Sequence, residues 1–310
     1  MQDRIVGQLA VDGDSAFDLL REVASEIDGE LWVVGGYVRD QLLGSESVPD
    51  LDVTVVGSPV GEVAARFAEL AGAAPPVTFP RFGTGQVTWG DRRLEFVGAR
   101  RESYRDDSRK PLVEEATLAD DLARRDFTVN ALYCDLEGAV RDPFTGRADL
   151  EARVLRTPVD PLLTFRDDPL RMLRGVRFAS VLGFSLAPQV GPAMEALADR
   201  LAPPVVSLER IAEELWKMLR SPRPRLALEL LDEHRLLPQV LPELDRCHGV
   251  EQGGFHDDDV FRHTLRTVEL TRADLTLRLA ALCHDLGKPA TARGGAFPGH
   301  EEAGAELAGG

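Results

Sequence analysis

The chain has 310 residues, a formal net charge of −16, 44% hydrophobic and 28% charged residues, enough for two or three domains with a buried core and too balanced for a disordered chain. So acidic a chain argues against nonspecific nucleic-acid binding by the whole surface but leaves room for a local groove, since residues 160–225 carry ten Lys/Arg against eight Asp/Glu. No apolar run predicts a membrane span, the N-terminal MQDRIVGQLAVDGD lacks a signal-peptide core, and the unpatterned Cys134, Cys247 and Cys283 fit a reducing cytoplasm without a metal knuckle.

In chain order, residues 14–28 predict a helix with Phe17, Leu19, Leu20, Val23 and Ile27 apolar. Leu31–Val34 reads as a buried strand ending in Gly35-Gly36, and a short helix over Tyr37–Leu43 stops at Gly44. Asp50 and Asp52 flank Leu51 at the start of a second apolar run, Val53–Val56. Residues two apart on a strand share a face, so the two carboxylates project together near the glycine turn. Paired carboxylates can hold divalent metals. A glycine pair before a helix lets backbone N–H groups approach a phosphate, and Arg39 offers a charge-assisted contact one turn on. Metal plus triphosphate points to nucleotidyl transfer by a two-metal route. Each feature alone is common in α/β proteins; their order together carries the reading.

A helix over Gly61–Ala71 and strands over 77–98 follow. The alternation in RRLEFV puts Glu95 on one face and Leu94 and Phe96 on the other. A short antiparallel strand here would set Glu95 beside Asp50 and Asp52 as a third oxygen ligand suited to Mg²⁺; the bland alternative is a solvated strand residue. Residues 99–120 are polar and read as a flexible loop. Arg125 and Asp126 lie in LARRDFTVNALY, residues 122–133, where Arg-Arg-Asp on a helix is ordinarily an exposed salt-bridge face. Asp142–Leu150 reads as a connecting turn. Asp168-Pro169 suits a helix start, with Asp as N-cap and Pro at N1. Arg171, Arg174 and Arg177 then form a one-sided basic stripe opposite Leu170, Leu173, Val176 and Phe178. Ser207 is the expected N-cap of a helix whose capping box lacks its acid, because Arg210 stands there; its Leu208, Ile211, Leu215, Met218 stripe is expected in the core. Helical sequence continues to about Leu241. His263 lies on a helix, His284-Asp285 follows an apolar helix, and His300-Glu301 comes next. Imidazoles suit transition metals and the adjacent Asp can bridge two ions; the plainer view is scattered surface histidines.

GGYVRDQLLG followed by DLD resembles the signature of the class II tRNA nucleotidyltransferase and bacterial poly(A) polymerase family. RRDFTVNA is similar to that family's RRDFTINA, and DPFTG to its DPFGG turn. DDPLRMLRGVRF is similar to its EDPLRMLRAVRF, with Asp167 in place of Glu, and SLERIAEELWKML to its ERI..EL.K.L helix. The last segment resembles the HD metal-dependent phosphohydrolase domain, whose usual final Asp has no candidate, so that domain is expected to be incomplete.

The resemblance implies an α/β nucleotidyltransferase head with a mixed sheet over residues 1–150, an all-helical neck and body over 151–245, and a partial HD-type helical domain over 246–310. It implies that Asp50 and Asp52 hold two Mg²⁺ and that Glu95 helps place the ion activating the tRNA 3′-hydroxyl. Gly35, Gly36, Arg39 and Arg125 would hold the triphosphate, and Asp126 a ribose hydroxyl. Asp168 would accept from the exocyclic amine of the incoming base and Arg171 donate to its ring acceptors, with Arg174 and Arg177 in support. Adenine and cytosine share an amine beside a ring acceptor, so ATP and CTP are accepted and UTP rejected. The implied product is the CCA end of tRNA; A-only addition, CC-only addition and poly(A) synthesis stay open. His263, His284 and Asp285 form a candidate second metal site for a transition metal. Readings of another class are an HD phosphohydrolase with a binding-module head and a noncatalytic RNA-binding protein.

Overall fold

The computed structural model describes residues 4–45, 50–80, 83–103, 112–115, 117–252, 258–294 and 296–309. The chain forms two compact units, residues 1–152 with 156–159, and residues 153–155 with 160–310.

The first unit is built on an eight-stranded sheet in the order β1-β10-β9-β2-β3-β6-β5-β4. Its strands are β1 (Ile5–Gln8), β2 (Glu30–Val34), β3 (Leu51–Val56), β4 (Val77–Phe79), β5 (Thr84–Trp89), β6 (Arg92–Gly98), β9 (Tyr133–Cys134) and β10 (Ala139–Arg141). Among the described residues only β3 and β6 run parallel within it. A separate antiparallel pair, β7 (Arg100–Ser103) with β8 (Leu112–Glu115), occupies part of the stretch expected to be a loop. Backbone pairing between the two strands satisfies their N–H and C=O groups without an apolar run. Helices α1 (Ser15–Glu26), α2 (Gly36–Leu42), α3 (Val60–Leu70), α4 (Leu118–Ala123) and α5 (Gly146–Ala152) complete the unit. Asp14 caps α1 by accepting from the Ala16 N–H at 3.0 Å. Phe17, Phe67 and Phe96 are fully buried, and the Phe67 and Phe96 rings lie 5.5 Å apart between α3 and the sheet. Burial of such rings is the main stabilising term holding α1 and α3 to one face.

The second unit is almost entirely helical: α6 (Pro161–Asp167), α7 (Leu170–Leu182), α8 (Val190–Leu197), α9 (Leu208–Arg220), α10 (Pro224–Glu233), α11 (Leu237–Val240), α12 (Pro242–Asp245), α13 (Val260–Leu270), α14 (Leu275–Cys283), α15 (Lys288–Thr291) and α16 (His300–Gly309), with a small parallel pair, β11 (Val154–Leu155) and β12 (Ser185–Leu186). One apolar cluster runs through it from Phe165 to Leu286. Ile211, Leu215 and Met218 of α9 join that core, but Leu208 does not: it opens the helix and is 64% exposed. Ser207 caps α9 by backbone position, without a side-chain bond. Arg278 is buried and has no carboxylate partner among the described residues; its guanidinium donates to the carbonyls of Leu219, Ser221 and Thr271 and so ties the ends of α9 and α13 to α14.

Candidate active site

The register of three strands assembles the head site. In the antiparallel β2–β3 pair Val34 stands opposite Asp52, so the chain enters Gly35 beside that carboxylate. In the parallel β3–β6 pair Asp52 is in register with Glu95. The expected antiparallel pairing is therefore corrected: β6 is antiparallel to β5 and parallel to β3. Neighbours in register share a face, so Glu95 still stands beside Asp52, and Asp50, two residues back, faces the same way. Leu51, Val53, Leu94 and Phe96 on the opposite face are buried. Asp50 is half exposed and pairs with Arg93, taking its backbone N–H at 3.1 Å and its Nη2 at 3.0 Å. An ion pair this exposed is worth little, so a divalent cation can compete for Asp50. Three carboxylates on one face are hard oxygen donors of the kind Mg²⁺ takes, but they are not among the groups of described residues whose ligand atoms gather within 4.8 Å of one another.

Gly35 makes the close approach possible. Its φ is +74° and its ψ −128°. A Cβ there would stand 2.7 Å from Arg125 Nη1 and 3.3 Å from Asp52 Oδ2. The space above Gly35 is where a cationic and an anionic group converge. Arg125 is not on an exposed helical face: α4 ends at Ala123, and Arg125 turns back to contact Asp121 Oδ2 at 3.5 Å and the Asn130 carbonyl at 3.3 Å. Its Nε is buried without a hydrogen-bond partner among the described residues.

Asp126 is likewise buried, and its Oδ1 accepts from the Phe127 N–H at 2.8 Å and Asn130 Nδ2 at 2.9 Å. Asn130 Oδ1 in turn accepts from Arg39 Nη1 at 2.6 Å, and Arg39 grips Asp40 with Nε and Nη2 at 2.7 and 2.9 Å. Arg39 thus joins α2 to the 3₁₀ turn Thr128–Asn130. Gly36, the first residue of α2, has Arg39 Nη2 as the neighbour a Cβ would meet, at 3.7 Å. Sequence reasoning passed over Asn130 and the buried Asp121, which also accepts from Arg124 Nε at 3.0 Å. The i, i+3, i+4 spacing of Asp121, Arg124 and Arg125 was the available signal.

Asp168 and Arg171 belong to the second unit. Asp168 ends α6, and Pro169, expected at N1, instead holds the N-cap position of α7; Asp168 Oδ1 still accepts from the Leu170 N–H at 3.1 Å, while Oδ2 pairs with Arg210 Nη2 at 3.3 Å. Arg171 Nη1 donates to the Thr164 carbonyl at 3.1 Å. The basic stripe is partly engaged: Arg177 pairs with the buried Glu214 at 2.6 Å and lies 4.2 Å over the Phe178 ring, with Arg174 at 5.7 Å.

In the same unit the histidines are not scattered. His263 Nε2 lies 3.2 Å from His284 Nε2, and both approach Asp285 Oδ2, at 3.6 and 3.0 Å. His300 Nε2 stands 3.7 Å from Asp285 Oδ1. Lys288 Nζ also holds Asp285 Oδ2, at 2.7 Å. Burial pushes the Asp285 carboxyl up, but hydrogen bonds from His284 and Lys288 outweigh it and hold the group at about 2. The hydrogen bond to Asp285 raises His284 against the opposing effect of burial. This donor set suits a transition metal.

The Poly A polymerase head domain model matches residues 31–156, the model for the probable RNA and SrmB-binding site of polymerase A matches 183–247, and the HD domain model matches 260–310. The multifunctional CCA protein of Halorhodospira halophila is 36% identical over 295 residues, 90% of this chain and 68% of that protein. The chain belongs to the class II tRNA nucleotidyltransferase and poly(A) polymerase family. Another member of this family, the A-adding tRNA nucleotidyltransferase of Deinococcus radiodurans, is 40% identical over 89% of this chain and 62% of its own length. The chain thus spans about two thirds of these relatives. Among solved structures, the Bacillus stearothermophilus CCA-adding enzyme in complex with CTP matches with a TM-score of 0.70 at 28% identity, over 96% of this chain and 67% of that one. A tRNA nucleotidyltransferase complexed with a primer tRNA and an incoming ATP analog matches with a TM-score of 0.64 at 29% identity, over 85% and 74%. No helix of the described residues is long and apolar enough to cross a membrane.

Proposed function

We propose that the chain is a template-independent nucleotidyltransferase that adds CCA to the 3′ end of tRNA from CTP and ATP, in the cytoplasm. The observation that carries this reading is the register of Asp52 with Glu95 beside a glycine over which Arg125 and Asp52 converge. Asp50, Asp52 and Glu95 would hold two Mg²⁺, which supply activation of the 3′-hydroxyl and stabilisation of the departing oxygen. Gly35 and Gly36 leave room for the phosphates, and Arg125 donates to them from a position fixed by Asp121. Arg39 acts from behind, holding Asn130 and through it Asp126, the group that accepts a ribose hydroxyl. Asp168 and Arg171 read the base edge, with Arg174 and Arg177 supporting the phosphates or orienting that pair. The segment over 246–310 is an HD-type module that has its own family match yet shares the core of the second unit, and it would hold a transition metal through His263, His284 and Asp285.

The A-adding relative favours A-only addition as the second reading. The test supplies tRNAs lacking CCA, CA or only the final A with labelled CTP or ATP. Incorporation of both nucleotides into the first substrate supports CCA addition; ATP incorporation into the last substrate alone supports the second reading. Loss of all incorporation in a folded Asp52→Ala protein is required by both, and wild-type incorporation there removes the site assignment.

A further inference from the structure

Away from the sites above, the second unit brings together Asp232 near the end of α10, Asp245 at the end of α12, and His248 three residues later. One ligand atom from each lies within 4.8 Å of the others. His248 Nε2 stands 3.3 Å from Asp232 Oδ1. Zinc bonds of about 2.0–2.1 Å in a tetrahedron place neighbouring ligand atoms roughly 3.3–3.4 Å apart, so this pair already has ligand spacing. The Asp232 and Asp245 side chains are 39% and 40% exposed; Asp245 Oδ1 lies 3.9 Å from the other ring nitrogen, Nδ1, so the Asp245 carboxylate has to turn toward Nε2 to share an ion with Asp232.

The imidazole is oriented from two sides. It stacks on Phe261 with centroids 3.8 Å apart and planes at 22°. Its Nδ1 lies 2.9 Å from the Asp245 carbonyl oxygen. A proton donated there leaves the Nε2 lone pair facing Asp232, the arrangement by which a backbone carbonyl fixes a metal-ligating histidine. Neighbouring bonds hold the segment in place: the Gly249 N–H donates to Asp259 Oδ2 at 2.9 Å, and the Phe261 N–H to the Cys247 carbonyl at 3.3 Å. Among the described residues neither Asp232 nor Asp245 pairs with a lysine or arginine, in contrast to Asp285 with Lys288 at 2.7 Å. No lysine or arginine therefore has to be displaced.

We propose that Asp232, Asp245 and His248 form a site for a divalent transition cation of the Zn²⁺ type, which staples the end of α10 to the connection between α12 and α13. Two carboxylates and one imidazole leave a fourth position for water, and the dianionic pair neutralises the ion. The site is independent of nucleotide transfer.

The experiment titrates the full chain with Zn²⁺ by calorimetry in the His284→Ala background, which removes a ligand of the other imidazole cluster, with excess Mg²⁺ to fill the head. His248→Gln and Asp232→Asn are compared in that background, each checked for folding by circular dichroism. The expected result is one Zn²⁺ equivalent, weakened about tenfold or more in each variant, and a Zn²⁺-dependent rise in melting temperature that both variants lose. Unchanged Zn²⁺ affinity and stoichiometry in both variants, or no Zn²⁺ binding by the parent, overturns the proposal. Asp232→Asn is near-isosteric and exposed, so it decides the matter should His248→Gln not fold.

Discussion

Gly35→Ala separates backbone strain from damage to the site. At φ +74° and ψ −128° an L residue is strained by about 1–3 kcal/mol. A unit of this size loses about 2–4 °C of melting temperature per kcal/mol, so the expected fall is roughly 2–12 °C. The added Cβ would also stand 2.7 Å from Arg125 Nη1, too close to persist. The guanidinium end moves at little energetic cost, but it leaves the position that Asp121 and the Asn130 carbonyl give it. A contact to a charged group is worth about 1.5–3 kcal/mol, or roughly 10–150-fold in kcat/KM. Gly44→Ala is the control: Gly44 has φ +74° too, yet among the described residues nothing lies within 4 Å of its Cβ position. It should lower the melting temperature and leave kinetics alone. Steady-state incorporation of ATP and CTP into primer tRNA, alongside melts, reads both effects. A lowered melting temperature with wild-type kcat/KM in Gly35→Ala refutes the site argument, as does an equal kinetic loss in Gly44→Ala.

Asp121→Asn should raise KM for the nucleoside triphosphates several-fold with little change in kcat, because it loosens Arg125 without touching the carboxylates; an unchanged KM would show that Arg125 needs no such support. Arg278→Met should destabilise the second unit by about 2–4 kcal/mol in denaturant melts, since three carbonyls lose their donor, and Arg278→Lys should recover only part. Asp285 sits at about 2 in the fold against 3.8 unperturbed, so its stabilisation of about 2 kcal/mol is present above its unfolded value and is lost as pH falls from about 4 to about 2; without metal, Asp285→Asn should flatten that part of the stability–pH curve. Asp168→Ala should erode discrimination between CTP or ATP and UTP about tenfold or more, whereas a lower melting temperature with unchanged nucleotide ratios leaves Asp168 only as the acceptor of the first N–H of α7.

Most of what depends on local period was legible in the sequence, with Leu208 at the exposed start of α9 the exception. The apolar runs at Leu31–Val34 and Val53–Val56 are the strands β2 and β3, and the alternation around Glu95 does bury Leu94 and Phe96. What period cannot carry is the identity of a neighbour. The direction of β6 depends on α3, β4 and β5 lying between it and β3, which lets it return parallel; Glu95 keeps its face either way, so the carboxylate row survives a wrong strand direction. The β7–β8 pair is invisible to hydropathy because strand pairing, not an apolar face, defines it.

The arginines show where such reading stops. Arg39, Arg125, Arg171 and Arg177 look equivalent in sequence, each a cation near a motif. In the fold, Arg39 is bound to Asp40 and Asn130, Arg177 is paired with Glu214, and Arg171 touches one carbonyl. Arg125 alone of the four stands over Gly35 beside Asp52; its buried Nε has no hydrogen-bond partner among the described residues, whereas that of Arg177, also without a hydrogen bond, is ion-paired with Glu214. A buried donor left unpaired is unfavourable by about 1–3 kcal/mol, and an anionic ligand entering there removes that penalty as it binds. The same reasoning assigns Arg39 to positioning: its donors already have partners, so its removal should disturb Asn130 and Asp126 before it disturbs the phosphates.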